Sequence, residues 1–539
     1  MDYDAIVIGA GIAGMHQLYT LRKLGMRVRV FEAAADVGGT WYHNRYPGCR
    51  FDSESFTYGY SWSPEILEEW NWTELFASQP ETLRYTNFVA DKFDLRKDIE
   101  FNTRIKSARY DERGNVWTVE TDAGTTASAR FVITAIGILS TPIIPDFPRR
   151  DSFAGQSFHS YYWPEGLDLA GKRVAVIGTG ATGVQIIQTI GQKVGSLTVY
   201  QRGGNWTKPL RNRPIGQAEM NEIKAEYPEI FERCKKTAAA FVHDWEPRNT
   251  FDVSDEEREE FFERRYAEAG FGFWLGGFQD LPINEDACRA AEEFLIKKIR
   301  ARLDDPKIAD ILIPNDHPFG AKRVPLETRY YEVYNQDNVE LVDLTATPIE
   351  RISPDGIVSG GDERAFDVII YATGFDAFRG ALDQIDFYGV DGVNMREKWD
   401  VGIATYMGLM VNGFPNLLTI LGPQNGGSYC NIPRCLEQNV EFITEMLGHM
   451  QAKGYNRIEA TIEAEQEWSR TAVELASQLV AMKYDSYMNS ANTRKSANKK
   501  REILVHAGGQ NAFRAFCAEI AAEDYRGYHM SQVEERIEA

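Results

Sequence analysis

Gly9-Ala-Gly11-Ile-Ala-Gly14 has the spacing GxGxxG, and the same spacing recurs at Gly178-Thr-Gly180-Ala-Thr182-Gly183. Each follows a short apolar run and precedes a helical pattern, so each is a strand–turn–helix unit. Its glycines let backbone N–H groups approach a pyrophosphate at the positive end of the helix. The two units differ where the next strand ends. Glu32, 18 residues after Gly14, places a carboxylate where it can hold a ribose diol. The second unit ends Tyr200-Gln201-Arg202, with no acid at its tip. A carboxylate there would repel a 2′-phosphate, whereas Arg202 can pair with one. The first cradle therefore fits FAD and the second NADPH rather than NADH.

A hydride donor and an acceptor in one chain leave a short list of chemistries, in which a dithiol, a quinone-like acceptor or dioxygen reoxidises the flavin. No CxxC follows the first cradle, which argues against a disulfide reductase. The six cysteines show no zinc spacing, so no metal is expected, and the closest pair, Cys430 and Cys435, reads as two buried thiols.

The elements that must hold these groups are those of an α/β chain with two Rossmann-like dinucleotide-binding domains. Apolar runs at 4–8 and 26–32 flank the first helix, and runs at 172–177 and 197–200 flank the second. Between about 212 and 318 charged, helix-favouring sequence dominates and reads as a helical insertion, with 255–260 as a solvated helix face. Strand-like runs return at 339–344 and 366–373. With 539 residues, 43% of them apolar, the chain is neither disordered nor fibrous. A net charge of −20 makes nucleic acid and anionic membranes unsuitable general partners. No run of 18 apolar residues and no leader are present, so a cytoplasmic protein is expected, as a monomer or weak homo-oligomer.

Phe153-Ala-Gly155-Gln-Ser-Phe-His159-Ser-Tyr-Tyr-Trp163-Pro164 matches the pattern FxGxxxHxxxWP just before the second cradle. Upstream, Gly39-Thr40-Trp41 leads through Tyr46-Pro-Gly to Asp52, matching [AG]GxWxxxx[FY]P[GM]xxxD. Ala321-Lys322-Arg323 and Tyr371-Ala-Thr373-Gly374 follow in order. In these motifs, over nearly its whole length, the chain resembles the type I (class B) flavin-dependent Baeyer–Villiger monooxygenases.

The resemblance implies NADPH- and dioxygen-dependent oxidation of ketones to esters or lactones through a flavin peroxide. It gives Arg323 the part of the cation that stabilises the reacting anion, and Asp52 that of the acid orienting it, with a lowered carboxylate pKa. Lys322 would meet the NADPH 2′-phosphate together with Arg202. Trp41 and Tyr46 would pack near the flavin, and Thr373 and Gly374 would lie on the strand returning to the flavin domain. His159 would act at the domain linker rather than on substrate. The implied division is a flavin domain from 1–138 and 376–539 around an NADPH domain, 139–375.

Tyr429, Cys430, Ile432 and Tyr487 are the expected pocket residues. A carboxy-terminal control loop is expected at 485–505. There Tyr487 stands where the family usually has Trp, and five cations from Arg494 to Arg501 form a basic island. Gly203 stands where relatives often place Thr. Two other readings are a flavin monooxygenase oxidising amines or sulfides, which Trp163 and the Asp52/Arg323 pair disfavour, and a non-catalytic flavoprotein redox sensor.

Overall fold

The computed structural model describes residues 1–426, 430–489 and 501–534. Two parallel-cored sheets carry the two cradles. In the first, β1 (Tyr3–Ile8), β2 (Val28–Phe31), β3 (Ile99–Glu100) and β6 (Thr126–Thr134) run parallel, in the order β6-β1-β2-β3. Ala5 to Ile8 are all buried, because helices and loops cover both faces of this centre, which is why the run is apolar without alternation. β5 (Val116–Thr121) extends the sheet antiparallel to β6, and β4 (Ile105–Asp111) pairs antiparallel with β5 beyond it. Strands from far along the chain complete it: Asp386–Tyr388 pairs β4, and Leu417–Thr419 pairs β6. Trp117 Nε1 on β5 donates to the Pro415 carbonyl across 2.7 Å, fastening an early and a late segment of the chain together inside the core.

The second sheet is entirely parallel. Its order is Val339–Asp343, β9 (Ser196–Gln201), β8 (Arg173–Ile177), Val368–Tyr371 and β7 (Gln156–His159). The 212–318 region supplies the helices Gln217–Lys236, Asp255–Ala267, Glu285–Arg300 and Pro306–Leu312. Residues 255–260, the first turns of their helix, are nearly all exposed.

Two connections pass between the sheets and run antiparallel to each other. Ile143 N donates to Gly374 O, Asp376 N to Thr141 O and Phe378 N to Ile138 O. This ribbon lies where the units built on the two sheets meet. Cys430 and Cys435, expected as separate thiols, are bonded to one another: the loop entering the helix Ile432–Lys453 brings their Cα atoms to 6.7 Å. Among the described residues no helix is long and apolar enough to cross a membrane, and no cluster of His, Cys, Asp and Glu could hold a metal ion.

Candidate active site

The two cradles are built alike at their first and third glycines. Gly9 and Gly178 both have φ near +105° (104° and 108°), where a side chain would be strained. A Cβ on Gly9 would lie 2.6 Å from the Ala135 carbonyl oxygen, and one on Gly178 2.5 Å from that of Ala372. Gly14 and Gly183 pack so closely over their first glycines that a Cβ on either would overlap the first glycine's carbonyl. Neither following helix (Ile12–Lys23 or Ala181–Ile190) has a side-chain cap or an acidic residue in its first turn. The free N–H groups at both helix starts thus remain available to an anion, and the residues present fit a dinucleotide phosphate at each.

Around the first cradle, Glu32 Oε2 accepts from Ala10 N at 2.6 Å and Oε1 from Ala34 N at 2.7 Å, which pins the carboxylate beside the glycine turn. Gly39 sits against Gly11, and Thr40 next to it is exposed. Trp41 is buried edge-on to Phe51 and donates its indole N–H to Tyr58 Oη at 3.2 Å. Tyr46 faces the other unit: its hydroxyl donates to Gln185 Oε1 at 3.0 Å, and Gln185 Nε2 donates to Arg50 O at 3.0 Å. The segment carrying Asp52 is thereby bolted to the helix Ala181–Ile190, in which Thr182 and Gly183 lie.

Asp52 and Arg323, 271 residues apart, meet at the centre of this arrangement. Arg323 Nη2 donates to Asp52 Oδ2 at 3.0 Å. The Asp52 side chain is 4% exposed and that of Arg323 41%, so the pair has a buried end and an open end. Phe271, from the helical insertion, lies with its ring centre 5.6 Å from the guanidinium carbon. Tyr58 and Tyr487 are close enough to raise the arginine's pKa. Arg323 Nε is buried and has no hydrogen-bond partner among the described residues.

Burial pushes the Asp52 carboxyl above its ordinary value, outweighing the opposing pull of Arg323. The expectation of a lowered pKa is therefore corrected: the partner was legible from the motif, but the cost of burying the charge was not. Burial also opposes the Arg323 charge, but Asp52 more than offsets it and holds the guanidinium above its usual range. The cation persists at any working pH.

The fingerprint segment packs on the second sheet and on the ribbon between the units. A Cβ on Gly155 would meet the Asp367 carbonyl at 2.6 Å, and Phe153 packs on the core of the second sheet. Trp163 is buried edge-on to Phe158, with Pro164 half-buried behind it. His159 ends β7; its Nδ1 accepts from Tyr161 N at 3.1 Å, so Nε2 carries the proton and donates to Gly374 O at 3.1 Å. Both ring nitrogens are thus committed to the inter-unit ribbon, next to Thr373, whose hydroxyl donates to Ile143 O at 2.5 Å.

Burial lowers the His159 pKa from 6.5 to about 4. Between those values the unfolded chain holds a proton that the folded one does not, so this stabilisation is full above about pH 6.5 and is lost as pH falls toward 4. The stability difference between the protein and its His159→Gln variant should therefore shrink by roughly 2 kcal/mol from pH 7 to pH 5. Denaturant melts at the two pH values check this, and a difference independent of pH would contradict it.

The nucleotide tip carries more charge than its strand ending shows. Arg202 is exposed at the end of β9 and makes no ion pair among the described residues. Lys322, however, donates to Asp316 Oδ2 at 3.2 Å rather than standing free. The same carboxylate lies against Gly203, where a Cβ would be 3.2 Å from Oδ2. The tip therefore does have an acid, brought there by a distant loop. Of the pocket residues, Tyr487 faces Arg323, Ile432 packs on the core under the first sheet, and Cys430 is bonded to Cys435. Tyr429 and the basic stretch up to Lys500 lie outside the described residues.

Residues 6–270 match the pyridine nucleotide-disulphide oxidoreductase family model. The chain is 45% identical over 535 residues to 2-oxo-Delta(3)-4,5,5-trimethylcyclopentenylacetyl-CoA monooxygenase of Pseudomonas putida, covering 98% of each chain. It is 38% identical over 539 residues to a Baeyer–Villiger monooxygenase of Pseudooceanicola batsensis, covering 99% of this chain and 98% of the other. This chain belongs to the Baeyer–Villiger monooxygenases. Its fold superimposes on the crystal structure of OTEMO in complex with FAD and NADP with a TM-score of 0.95 at 44% identity, covering 98% of this chain and 99% of that one.

Within this Baeyer–Villiger monooxygenase, the residues that motif spacing does not single out are Tyr58, Phe271 and Asp316. Tyr58 and Phe271 carry no local signature; only the packing of the insertion against the first unit brings them to Arg323. Asp316 stands in Asp-His-Pro, six residues before Lys322, a signal that becomes legible once the path of the loop is known.

Proposed function

We propose that this Baeyer–Villiger monooxygenase oxidises ketones to esters or lactones, with NADPH as reductant and dioxygen as the oxygen source. The observation that carries the reading is the Asp52–Arg323 pair, buried at the carboxylate and open at the guanidinium, set between two dinucleotide cradles. FAD and NADPH, when bound, supply the reducing equivalents and the activation of dioxygen. Gly9, Gly11, Gly14 and Glu32 would hold the first; Gly178, Gly180, Gly183, Arg202 and Lys322 would hold the second.

The chain's own part is electrostatic. Ketone oxidation of this kind develops negative charge on oxygen, and a fixed cation nearby lowers that barrier without reorganising. Asp52 holds Nη2, so the exposed part of the guanidinium is kept toward the open side and cannot swing away. Phe271, Tyr58 and Tyr487 surround that side with ring surface, which thins out competing water and strengthens the field of the cation. Tyr487 adds a hydroxyl that can donate to substrate. His159 holds the two units together through Gly374 and takes no part in the chemical step. We place the protein in the cytoplasm, acting as a monomer or weak homo-oligomer.

The test is a panel of cyclic, linear and aromatic ketones, with an amine and a sulfide beside them. NADPH consumption should rise with at least one ketone, and gas chromatography should find the ester. An N-oxide or sulfoxide as the sole organic product would move the assignment to heteroatom oxidation. Hydrogen peroxide alone with every ketone would reject the ketone reading.

A further inference from the structure

In a strand–helix–strand nucleotide fold, the residue at the end of the second strand meets the ribose 2′ position, where an acid suits a free hydroxyl and a cation suits a phosphate. In this chain that tip is Gln201-Arg202-Gly203-Gly204, and the loop after the insertion wraps tightly around it. Gln201 Nε2 donates to Ile311 O at 2.6 Å, and Gly204 packs on the Leu312 carbonyl. Thr179 Oγ1, inside the glycine cradle, donates to Gly203 O at 3.1 Å, tying the tip to the phosphate turn. The wrap delivers Asp316 to Gly203, with its side chain 49% exposed. Its two oxygens are held from opposite sides, Oδ1 by His317 Nδ1 at 2.5 Å and Oδ2 by Lys322 Nζ at 3.2 Å. His317 is itself fixed, since its carbonyl accepts from Trp206 Nε1 at 3.1 Å.

We propose that Asp316 sets the dinucleotide preference of the second cradle by competing with the 2′-phosphate for Lys322. Without a phosphate, the carboxylate engages the lysine. When a 2′-phosphate enters, Lys322 turns to it, with Arg202, and Asp316 remains as a like charge at the same tip. The carboxylate therefore opposes the phosphate twice, by holding its cation and by direct repulsion, and it offers an acceptor to the bare 2′-hydroxyl of NADH. The enzyme's preference for NADPH is moderated by this residue rather than set by cations alone. Gly203 makes the arrangement possible, because a side chain there would crowd the carboxylate.

This inference rests on the second cradle being the NADPH site, and the experiment separates the two. Adenosine 2′,5′-bisphosphate and 5′-ADP are titrated calorimetrically into the FAD-loaded protein at fixed ionic strength, with flavin absorbance confirming that each variant is folded. Asp316→Asn should tighten the bisphosphate about tenfold and leave 5′-ADP within twofold, and the gain should shrink at high salt as a charge effect must. Lys322→Ala and Arg202→Ala should each weaken the bisphosphate and spare 5′-ADP. If those two weaken it but Asp316→Asn changes nothing, or weakens it as Lys322→Ala does, Asp316 is a scaffold and the proposal fails alone. If neither cation variant affects the bisphosphate, the NADPH reading of this cradle fails and the proposal falls with it.

Discussion

Arg323→Ala should reduce its flavin with NADPH at close to the normal rate and form no detectable ester, a loss of at least about a thousandfold by analogy with the removal of an oxyanion-stabilising donor. Anaerobic mixing reads the first half of this result, and gas chromatography of turnovers the second. The guanidinium is fixed from behind by Asp52 and the side chain is 41% exposed in front, so its exposed N–H groups are free to meet a developing charge. The alanine variant also strands a buried carboxylate, and losing one partner of such a pair costs on the order of 3 kcal/mol. Adding Asp52→Asn should recover part of that stability without restoring ester. Ester formed at the normal level by Arg323→Ala would show that another group carries the chemistry.

The second large effect concerns the cradle. Gly183→Ala should give a yellow protein whose flavin NADPH reduces only at concentrations on the order of a hundredfold higher. The added methyl has nowhere to go, since it would overlap the Gly178 carbonyl in the turn that receives the phosphates. Overpacking of this kind costs roughly 2–3 kcal/mol, and each 1.4 kcal/mol is a factor of ten in affinity. Because the first cradle is untouched, bound flavin should be retained, as the absorbance spectrum would report. NADPH titration of flavin bleaching measures the shift, and an unchanged midpoint would mean the nucleotide does not seat on this turn.

The cradles were legible because their signal is local: each is a strand, three glycines at fixed spacing and a helix within about 30 residues. Their near-identity in space, down to the carbonyls of Ala135 and Ala372, follows from the same local rule applied twice. The helical insertion was legible by composition for a similar reason. The antiparallel strands β4 and β5 and the late additions Asp386–Tyr388 and Leu417–Thr419 were not, because pairing over hundreds of residues leaves no periodic trace. Asp52 and Arg323 came into view together only through the family motifs, since nothing in either segment names the other.

Quantities set by burial were misjudged where local partners alone were weighed. Asp52 has the cation that should lower its pKa, yet desolvation wins, and no motif states how deep a residue lies. Asp316, the partner of Lys322, went unseen because it reaches the lysine by side-chain geometry rather than by a spacing rule. The conclusion that the nucleotide tip lacks an acid was right for the strand and wrong for the space around it. Side chains delivered by loops, as Asp316 is, leave no spacing signal at the strand they reach.

On the proposed function, the Asp52–Arg323 site directs oxygen from dioxygen into a ketone. Turnover of the FAD-loaded enzyme with NADPH and a productive ketone under heavy-oxygen dioxygen tests it most directly. Mass spectrometry of the product should find a single labelled oxygen in each ester, with one NADPH consumed for each ester formed. An unlabelled ester, or labelled hydrogen peroxide with the ketone recovered intact, would contradict the account.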